Sequence, residues 1–373
     1  MKKKQAVTSK KTARKTTRQR ILLAGGIVIG LILVLGIAAM AYINGLIDLV
    51  DQGEVTGDPS FHESDLYITD EVTQEPTTTS GETIMPTATS VVATSETIRE
   101  TTIDPRIVEA QEQQLEASMI DVRSDRNVYN ILLIGSDRRE GETTGRADSM
   151  IILSINKKTN KIHLVSLMRG MYVKIPGHGF YMLNASYSYG GSKLLRQTIE
   201  DNLRVHIDDY MMIDFSGFSA AINVVGGIDI DLTDKEAAEL NGQLGTAFIS
   251  GINHLDGAAA LAYARIRHID SDFARTGRQR TVIETLIRKM TSLGPAELDQ
   301  TARALLPLVK TNMGSDKLVS LALGCLEYKD YPISQLMLPI KNTFETIIVS
   351  RMQVTKFDFV KNVLKLHSFL FDD

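Results

Sequence analysis

The stretch that decides the fold is VYNILLIGSD, residues 128–137. Its apolar run is typical of a buried strand, and the Gly-Ser-Asp at its end indicates a turn. SMIILSIN (149–156) and KIHLVSL (161–167) predict two further strands. We expect the folded body to begin near Asn127 and to continue to the end of the chain.

Helices and strands alternate further along this body. The amphipathic pattern of SKLLRQTIEDNL (192–203) predicts a helix, and DDYMMIDF (208–215) indicates a strand. FSGFSAAINVVGG (215–227) predicts a helix ended by glycines, and the short strand IDIDL (228–232) follows it. Elements that interleave in this way are typical of α/β folds, in which helices cover both faces of a sheet.

The segment ARIRHIDSDFARTGRQR, residues 264–280, concentrates five arginines in a chain of formal net charge −4. The alternation in LAYARIR (261–267) predicts a strand that places Arg265 and Arg267 on one face. Two guanidinium groups on one strand face make this segment a candidate anion site.

Helical periodicity in RTGRQRTVIETLIRKM (275–290) predicts a helix with one apolar face. Extending that face toward the N-terminus places Arg275, Arg278 and Gln279 on it, so these side chains are expected to lean inward. Arg280 lies off the face, and we expect it to be solvated and paired with the glutamate four residues later.

Inward arginines are unfavourable unless another charge compensates them. An anion held at the helix N-terminus by forked guanidinium groups is one explanation. A structural ion-pair network with Asp270 and Asp272 is the other, and the spacing alone leaves both open.

GSDRREGETTGRADSM (135–150) forms a second charged cluster. Asp137 lies just past a strand end, where sites in α/β sheets are usually built, and Asp148 precedes the next strand. The arginines close to them in the sequence are Arg138, Arg139 and Arg146. Such a set suits a divalent metal that bridges a phosphate, since Mg²⁺ prefers one or two carboxylates plus phosphate oxygens. Ordinary turn aspartates explain the pattern equally well.

Arg169, at the end of HLVSLMR (163–169), is a further candidate from a strand terminus. Other chemistries lack their motifs: the chain has no HExxH, no paired Cys/His spacing and no GxSxG elbow. Its single cysteine, Cys325, excludes an internal disulfide. GGSK (190–193) lacks the first glycine of a phosphate loop, so we interpret it as a turn before a helix.

The N-terminal region predicts a membrane anchor. Residues 21–43 carry no charge, and as a helix they would span about 34 Å, enough for a hydrocarbon core of about 30 Å. Residues 1–20 form a basic tail with nine Lys and Arg and no acid, which keeps the tail in the cytoplasm and exports the rest. The apolar run is longer than a signal peptide's core and no clear cleavage site follows, so we expect an uncleaved single-pass signal anchor in the cell membrane.

Residues 44–126 are rich in Thr, Ser, Glu and Pro and predict a mostly disordered extracellular linker. RIVEAQEQQLEASM (106–119) allows a short helix just before the extracellular body, residues 127–373. Without the nine basic residues of the tail, the net charge is about −13, which argues against a nucleic-acid-binding protein.

Several of these motifs, taken in order, resemble the LytR-CpsA-Psr family of bacterial envelope proteins. The matching segments are LLIGSDRR (132–139), GRADSMIILSIN (145–156), SLMRGMYVKIPGHG (166–179), MLNASYSYGG (182–191), VVGGIDIDL (224–232), GINHLDGAAALAYARIR (251–267) and DSDFARTGRQR (270–280). No single segment decides the matter, but together they cover nearly all of the exported body.

The resemblance implies a mixed central sheet flanked by helices in an α-β-α arrangement, and a Mg²⁺- or Mn²⁺-dependent phosphotransferase. Such proteins move a glycan polymer, of the teichoic acid or capsular polysaccharide type, from a polyprenyl-pyrophosphate carrier to peptidoglycan. By position, Asp137 and Asp148 would hold the metal. The residues that would grip the pyrophosphate and lipid head group are Arg146, Arg169, Arg265, Arg267, Arg275 and Gln279, with Arg139 and Arg278 beside them. Arg146, Arg169, Arg265 and Arg267 are the expected catalytic residues.

One departure concerns Met168, Arg169 and Gly170, where the family usually has Pro-Arg-Asp. The missing carboxylate removes a partner for Arg169. This change motivates one alternative to the transferase, a non-catalytic binder of lipid-linked wall precursors. A second alternative keeps the active site but uses water as the acceptor, as a polyprenyl-pyrophosphate hydrolase.

Overall fold

The computed structural model describes residues 45, 48–57, 104–137, 146–267, 269 and 272–372. The predicted tail and anchor, residues 1–43, lie outside this part of the chain. Among the described residues, no helix has the length and apolarity needed to cross a membrane.

The strands, in chain order, are β1 (Asp51–Gln52), β2 (Val128–Ser136), β3 (Ala147–Asn156), β4 (Lys161–Leu167), β5 (Tyr172–Ile175), β6 (Gly179–Met182), β7 (Asp209–Asp214), β8 (Ile228–Leu232), β9 (Gly251–Leu255), β10 (Lys310–Thr311), β11 (Ile333–Leu338), β12 (Phe344–Val349) and β13 (Met352–Phe357). The helices are α1 (Pro105–Ser118), α2 (Ala185–Leu203), α3 (Phe215–Val224), α4 (Asp234–Leu244), α5 (Gly257–Arg265), α6 (Asp272–Ser292), α7 (Pro295–Leu305), α8 (Ser315–Tyr328) and α9 (Phe359–His367). The strands and helices predicted from the sequence up to residue 232 are all present.

The chain divides into two compact units. The sheet unit comprises Glu54–Phe215, Ala264–Thr281 and Tyr331–Asp373. The helical unit comprises the described residues up to Gly53, together with Ser216–Tyr263 and Val282–Asp330.

Five strands of the sheet unit lie in the order β7-β2-β3-β4-β11. β2 runs parallel to β7 and antiparallel to β3, β3 is antiparallel to β4, and β4 is parallel to β11. The sheet is therefore mixed, as the family resemblance implies. Helices α1, α2 and α9 pack against one another and share a core with the sheet.

Period-two alternation decides which strand residues enter that core. Leu132, Ile134, Ile152 and Val165 are each no more than 1% exposed and join the side chains of α1, α2 and α9. Intervening residues such as Ile131 are equally buried. Because the sheet is covered on both faces, VYNILLIGSD is a continuous apolar run and does not alternate between apolar and polar residues.

Two segments inside the predicted linker, residues 44–126, are ordered. Helix α1 begins at Pro105 after the N-cap Asp104, whose carboxylate accepts the Arg106 N–H. Ala110 and Ala117 bury one face of this helix. The short helix expected at 106–119 is thus confirmed. Residues 54–57 also lie on the sheet unit, through hydrogen bonds to α2.

The helical unit contains the antiparallel hairpin β8–β9 and the short parallel pair β1–β10. The segment LAYARIR was predicted to be a strand, and this prediction was wrong: residues 261–265 form the second half of helix α5, and Ile266 and Arg267 follow it. Asp256 caps the helix by accepting the Ala259 N–H at 2.8 Å, and the alanines that follow are strong helix formers.

Candidate active site

Asp148 occupies a β-bulge at the start of β3. Gly135 of β2 pairs with Ser149, but the next residue, Ser136, pairs with Ala147, so Asp148 is the extra residue. Bulges re-aim side chains at sheet edges and are common beside active sites. A break in the strand ladder therefore sets the direction of this carboxylate, which simple alternation does not predict.

Asp137 and Arg146 form an adjacent pair where β2 ends and β3 begins. The Asp137 N–H donates to the Arg146 carbonyl oxygen at 3.2 Å. The Asp137 carboxylate accepts the backbone N–H of Arg146 and, at 3.2 Å, its Nε–H. The two side chains are 21% and 36% exposed, so water screens this pair and a ligand can reach it.

Arg169 lies in the turn between β4 and β5, and its backbone is held on both sides. Its carbonyl oxygen accepts the Asn184 N–H at 3.2 Å, and the neighbouring Gly170 carbonyl accepts the Thr355 N–H at 2.7 Å. Arg169 Nη1 donates to Asp148 Oδ1 at 3.2 Å. The turn thus holds a guanidinium group against the bulge carboxylate.

The N-terminal half of α6 supplies further polar groups. Arg275 is only 3% exposed, so the predicted inward lean is confirmed. Gln279, one turn later, accepts the Ser149 hydroxyl at 3.1 Å through Oε1. A buried guanidinium charge near a helix N-terminus makes this region electropositive and suited to an anion.

These side chains line one cavity. Its lining residues are Asp148, Ser149, Met150, Leu167, Met168, Arg169, Arg275, Thr276 and Gln279. The cavity volume is about 10 Å³, which is room for about one water molecule. Two hydrogen bonds join residues of this lining, Arg169 to Asp148 and Ser149 to Gln279.

Arg265 and Arg267 do not share a strand face, because Arg265 is the last residue of α5. The Arg265 guanidinium lies 4.5 Å from the centroid of the Phe215 ring, a cation–π contact. Arg267 follows two residues later and is half-buried. The predicted common face is therefore wrong, since the helix ends between the two arginines.

Arg278 is 5% exposed and confirms its predicted inward position. Its Nη2 donates to the carbonyl oxygen of Ile266 at 2.7 Å, across twelve residues of sequence. This bond stabilises the connection between α5 and α6.

Arg280 was expected to be solvated, and that prediction was wrong. Its Nη1 donates to Ser166 Oγ at 2.8 Å, and its Nε donates to Gln335 Oε1 at 2.9 Å. Burial lowers the pKa of the Arg280 guanidinium. Arg280 therefore joins α6 to β4 and β11, because the sheet offers it two oxygen acceptors.

A family model matches most of the chain that carries this site. The LytR_cpsA_psr family model matches residues 88–366. The chain belongs to the LytR_cpsA_psr family. Both the fold and the order of the motifs agree with that membership.

Related LytR_cpsA_psr proteins carry two kinds of name. Regulatory protein MsrR of Staphylococcus aureus strain Mu50 is 32% identical over 232 residues, which cover 61% of this chain and 68% of MsrR. TagU of Enterococcus faecalis, named a polyisoprenyl-teichoic acid–peptidoglycan teichoic acid transferase, is 34% identical over 208 residues, 54% of this chain and 66% of TagU.

Solved structures of the LytR_cpsA_psr family share the fold. TagT (YwtF) of Bacillus subtilis with bound octaprenyl pyrophosphate lipid matches with a TM-score of 0.53 at 22% identity. The match covers 68% of this chain and 95% of TagT. The architecture described above is thus that of the family.

Within this LytR_cpsA_psr site, the structure brings together four of the residues predicted from sequence. Asp148, Arg169, Arg275 and Gln279 line the cavity, while Asp137 and Arg146 form the ion pair at the neighbouring strand ends. Arg139 lies outside the described residues.

Sequence reasoning missed two residues that shape the site, Ser149 and Asn184. Ser149 bonds Gln279 across the cavity, and Asn184 holds the backbone of Arg169. Both stand in segments that carry the family resemblance, RADS and MLNAS, which was the available signal. Their partners lie elsewhere in the chain, so local spacing did not reveal them.

The carboxylates fit a metal that shares its ligands with a substrate. No group of three or more acidic, His or Cys side chains within the described ranges is arranged to hold an ion. Asp148 accepts Arg169 through Oδ1, which leaves Oδ2 available, and Mg²⁺ commonly takes one or two carboxylates and completes its shell with phosphate oxygens and water. A metal held here would therefore depend on a bound phosphate.

Proposed function

We propose that this protein is a membrane-anchored phosphotransferase that moves a glycopolymer from a polyprenyl-pyrophosphate carrier to peptidoglycan. The observation that carries the proposal is the convergence of Asp148, Arg169, Arg275 and Gln279 on one cavity. They come from three separate elements of the fold. Membership of the LytR_cpsA_psr family and the similarity to TagU, a named teichoic acid transferase, support the same reaction.

The proposed chemistry is a displacement at phosphorus. A sugar hydroxyl of the acceptor forms a new P–O bond to the phosphorus that carries the glycan. The P–O bond to the lipid phosphate breaks, the polyprenyl phosphate leaves with the electron pair, and the proton of the hydroxyl passes to solvent. Such a reaction needs positioned positive charge more than a covalent nucleophile, and Arg169 and Arg275 supply that charge.

The small volume of the cavity implies that Arg169 changes its ion-pair partner when the donor binds. A pyrophosphate needs more room than the cavity volume of about 10 Å³, and we infer that the Arg169–Asp148 ion pair opens when the donor binds. With the donor bound, Arg169 turns to a phosphate oxygen, and Asp148 is released. The two side chains are 31% and 22% exposed, and an ion pair screened to this degree is weak enough to separate.

Asp148, assisted by Asp137, is the group that would hold Mg²⁺ or Mn²⁺. A bound divalent cation supplies further neutralisation of the developing phosphate charge. Asp137 remains tied to Arg146, which keeps a guanidinium group at the same strand end.

The proposed location follows from the N-terminal sequence. Residues 21–43 would cross the membrane with the basic tail inside, so the body works outside the cell beside its lipid-linked donor. No nucleotide is required, which suits an exterior without ATP.

The direct test is transfer by the purified full-length protein in detergent. It is incubated with polyprenyl-pyrophosphate-linked glycan, Mg²⁺ and peptidoglycan, and both peptidoglycan-linked glycan and released polyprenyl phosphate are measured. We expect equal amounts of the two products, loss of both on removal of Mg²⁺, and loss of both in Asp148→Ala.

Arg288→Ala is the matched control, because Arg288 lies on the same helix α6, is 56% exposed and forms an ion pair with Glu284 four residues before it. It should transfer at the wild-type rate. Polyprenyl phosphate released without an acceptor would favour a hydrolase. Donor binding without any product would favour a non-catalytic binder of wall precursors, which is the hypothesis that Gly170 motivates.

A further inference from the structure

A short segment near the N-terminus lies in a cleft on helix α2. The segment is Glu54–Gly57, which we name the strap. The cleft is formed where α2 is interrupted, at Gly190 (φ −145°, ψ 21°) and Gly191 (φ 62°, ψ −155°). The GGSK motif, interpreted from sequence as a turn before a helix, supplies these two non-helical residues, and a helical segment follows from Ser192.

Reciprocal hydrogen bonds hold the strap in the cleft. The Val55 N–H donates to Ser192 Oγ at 3.0 Å, and the Ser192 N–H donates to the Val55 carbonyl oxygen at 3.0 Å. The Ser192 hydroxyl donates to Glu54 Oε2 at 2.6 Å. Ser192 is fully buried, and both its backbone N–H and its hydroxyl bond the strap.

The glycines are required by the closeness of the two backbones. A Cβ on Gly191 would lie 1.7 Å from the Val55 carbonyl oxygen, and one on Gly57 would lie 2.5 Å from the Gly190 nitrogen. Neither contact involves a flexible side chain that could move away. The cleft is thus shaped for a main chain, and the strap is shaped for the cleft.

An ion pair also holds the strap in the cleft. Arg196 donates to Glu54 through Nη2, and the Arg196 side chain is only 18% exposed. The Arg196 guanidinium carbon lies 5.8 Å from the centroid of the Tyr210 ring. Burial raises the pKa of the Tyr210 phenol, and so does the nearby Glu54 charge, so Tyr210 stays neutral beneath the strap.

We propose that the α2 cleft is a docking site for the strap that fixes the sheet unit close to the membrane. The inference rests on the proposed anchor, residues 21–43. Glu54 is eleven residues past Ile43, so the strap lies within about 40 Å of the end of the anchor even at full extension.

The rest of the predicted linker then has no influence on the distance between the anchor and the sheet unit. Residues 58–103 begin and end on the same sheet unit, because Gly57 and Asp104 both belong to it. At full extension the chain from Ile43 to Asp104 could reach about 200 Å, whereas the chain from Ile43 to Glu54 reaches at most about 40 Å. The strap holds the arginine cavity near the plane in which a lipid-linked pyrophosphate is presented.

Hydrogen exchange on the full-length protein in detergent tests the docking itself. We expect the Val55 amide to be protected, and Arg196→Glu and Glu54→Arg each to speed its exchange by about tenfold or more. The double variant, which exchanges the two charges, should restore protection. Arg288→Glu is the matched control and should leave Val55 exchange unchanged.

Fluorescence energy transfer in liposomes tests whether docking of the strap keeps the sheet unit close to the membrane. A fluorophore is placed beside the cleft by Lys193→Cys in a Cys325→Ser background, with acceptor dye on the lipid head groups. We expect Arg196→Glu to lower transfer efficiency and the charge-exchanged double variant to restore it.

The outcomes separate the two proposals. Equal Val55 exchange in all variants would overturn the docking site, and unchanged energy transfer would overturn its role in distance. Failure of the full-length protein to sediment with liposomes would overturn the anchor in the proposed function, while the exchange result would still decide the docking.

Discussion

At the scale of single residues, the candidate site consists of charges that are paired with one another. Asp137 bonds Arg146, and Asp148 bonds Arg169, through contacts that are partly exposed to water. Exposed ion pairs contribute about 0–1 kcal/mol to stability, so we expect these two pairs to matter more for ligand binding than for folding. Arg275 differs, because its guanidinium is buried.

The Arg275 side chain is the sharpest test of the anion site. Arg275→Ala should lower kcat/KM for the lipid-linked donor by about 10²–10³-fold, because it removes a preorganised charge from a site sheltered from water. Steady-state transfer rates measure this effect, with Arg288→Ala on the same helix as control. Equal rates in the two variants would show that Arg275 does not act on the donor.

Gly170 tests the departure from the family pattern. A Cβ at this position meets only Thr355 Oγ1, at 3.6 Å, so Gly170→Asp should fold with a Tm within about 2 °C of wild type. The new carboxylate competes for Arg169 and frees Asp148, so less Mg²⁺ should be needed for half-maximal activity.

Gly170→Ala is the control for this change, since it adds the Cβ without the charge. It should require the same Mg²⁺ concentration as wild type. If the Gly170→Asp and Gly170→Ala proteins needed the same Mg²⁺ concentration for half-maximal activity, the introduced carboxylate would not compete with Asp148 for Arg169.

At the scale of elements, helix α6 is joined to the sheet by polar side chains, among them Arg280, which periodicity assigned to solvent. Arg280 bonds β4 and β11, and the Thr276 hydroxyl contacts the Met337 sulfur of β11 at 3.1 Å. These contacts set how α6 presents Arg275 and Gln279 to the bulge of β3. The position of the helix, and with it the anion site, depends on them.

Arg280→Ala should therefore destabilise the protein. Substitution of a solvated arginine would leave its stability unchanged. Losing two hydrogen bonds from a half-buried guanidinium should lower the free energy of unfolding by about 1–3 kcal/mol. Urea denaturation measures this, and Arg288→Ala, at an exposed ion pair, should change it by less than about 1 kcal/mol. Equal midpoints for the two variants would place Arg280 among the surface charges.

At the scale of the whole molecule, the C-terminal helix α9 closes the core of the sheet unit. His367, at its end, is 7% exposed, and its Nε2–H donates to the Arg204 carbonyl oxygen at 2.7 Å. Burial lowers the pKa of His367 below its ordinary 6.5, and the nearby Arg123 lowers it further, although the hydrogen bond and Asp372 act in the opposite direction.

This histidine should make stability depend on pH. Because the folded protein holds His367 neutral more strongly than the unfolded chain does, unfolding takes up a proton below pH 6.5. The stabilising contribution is present above pH 6.5 and is lost as the pH falls toward the folded-state pKa. Tm measured from pH 7.5 to 5 should fall, and His367→Gln, which keeps a donor for Arg204, should flatten that fall. An unaltered slope would assign the pH dependence to other groups.

Most of the sheet was predictable from sequence, because the apolar runs of β2, β3 and β4 are long and bounded by turns. Helix α5 was not, since a seven-residue alternation also occurs by chance in an alanine-rich helix and the capping Asp256 was the better signal. Of the site, the identities of the charged residues were predictable and their partners were not.

The sequence by itself determined which segments are apolar, where charge is concentrated, that one stretch is long enough to cross a membrane, and which family the motifs resemble. Those properties are local or additive along the chain. Only the tertiary structure decided that Asp148 sits in a bulge, that Ser149 meets Gln279 across 130 positions, that Arg280 turns to the sheet, and that Val55 docks on Ser192 across 137. Each of these depends on which distant acceptor or backbone the fold brings within hydrogen-bonding distance, and periodicity carries no information about that.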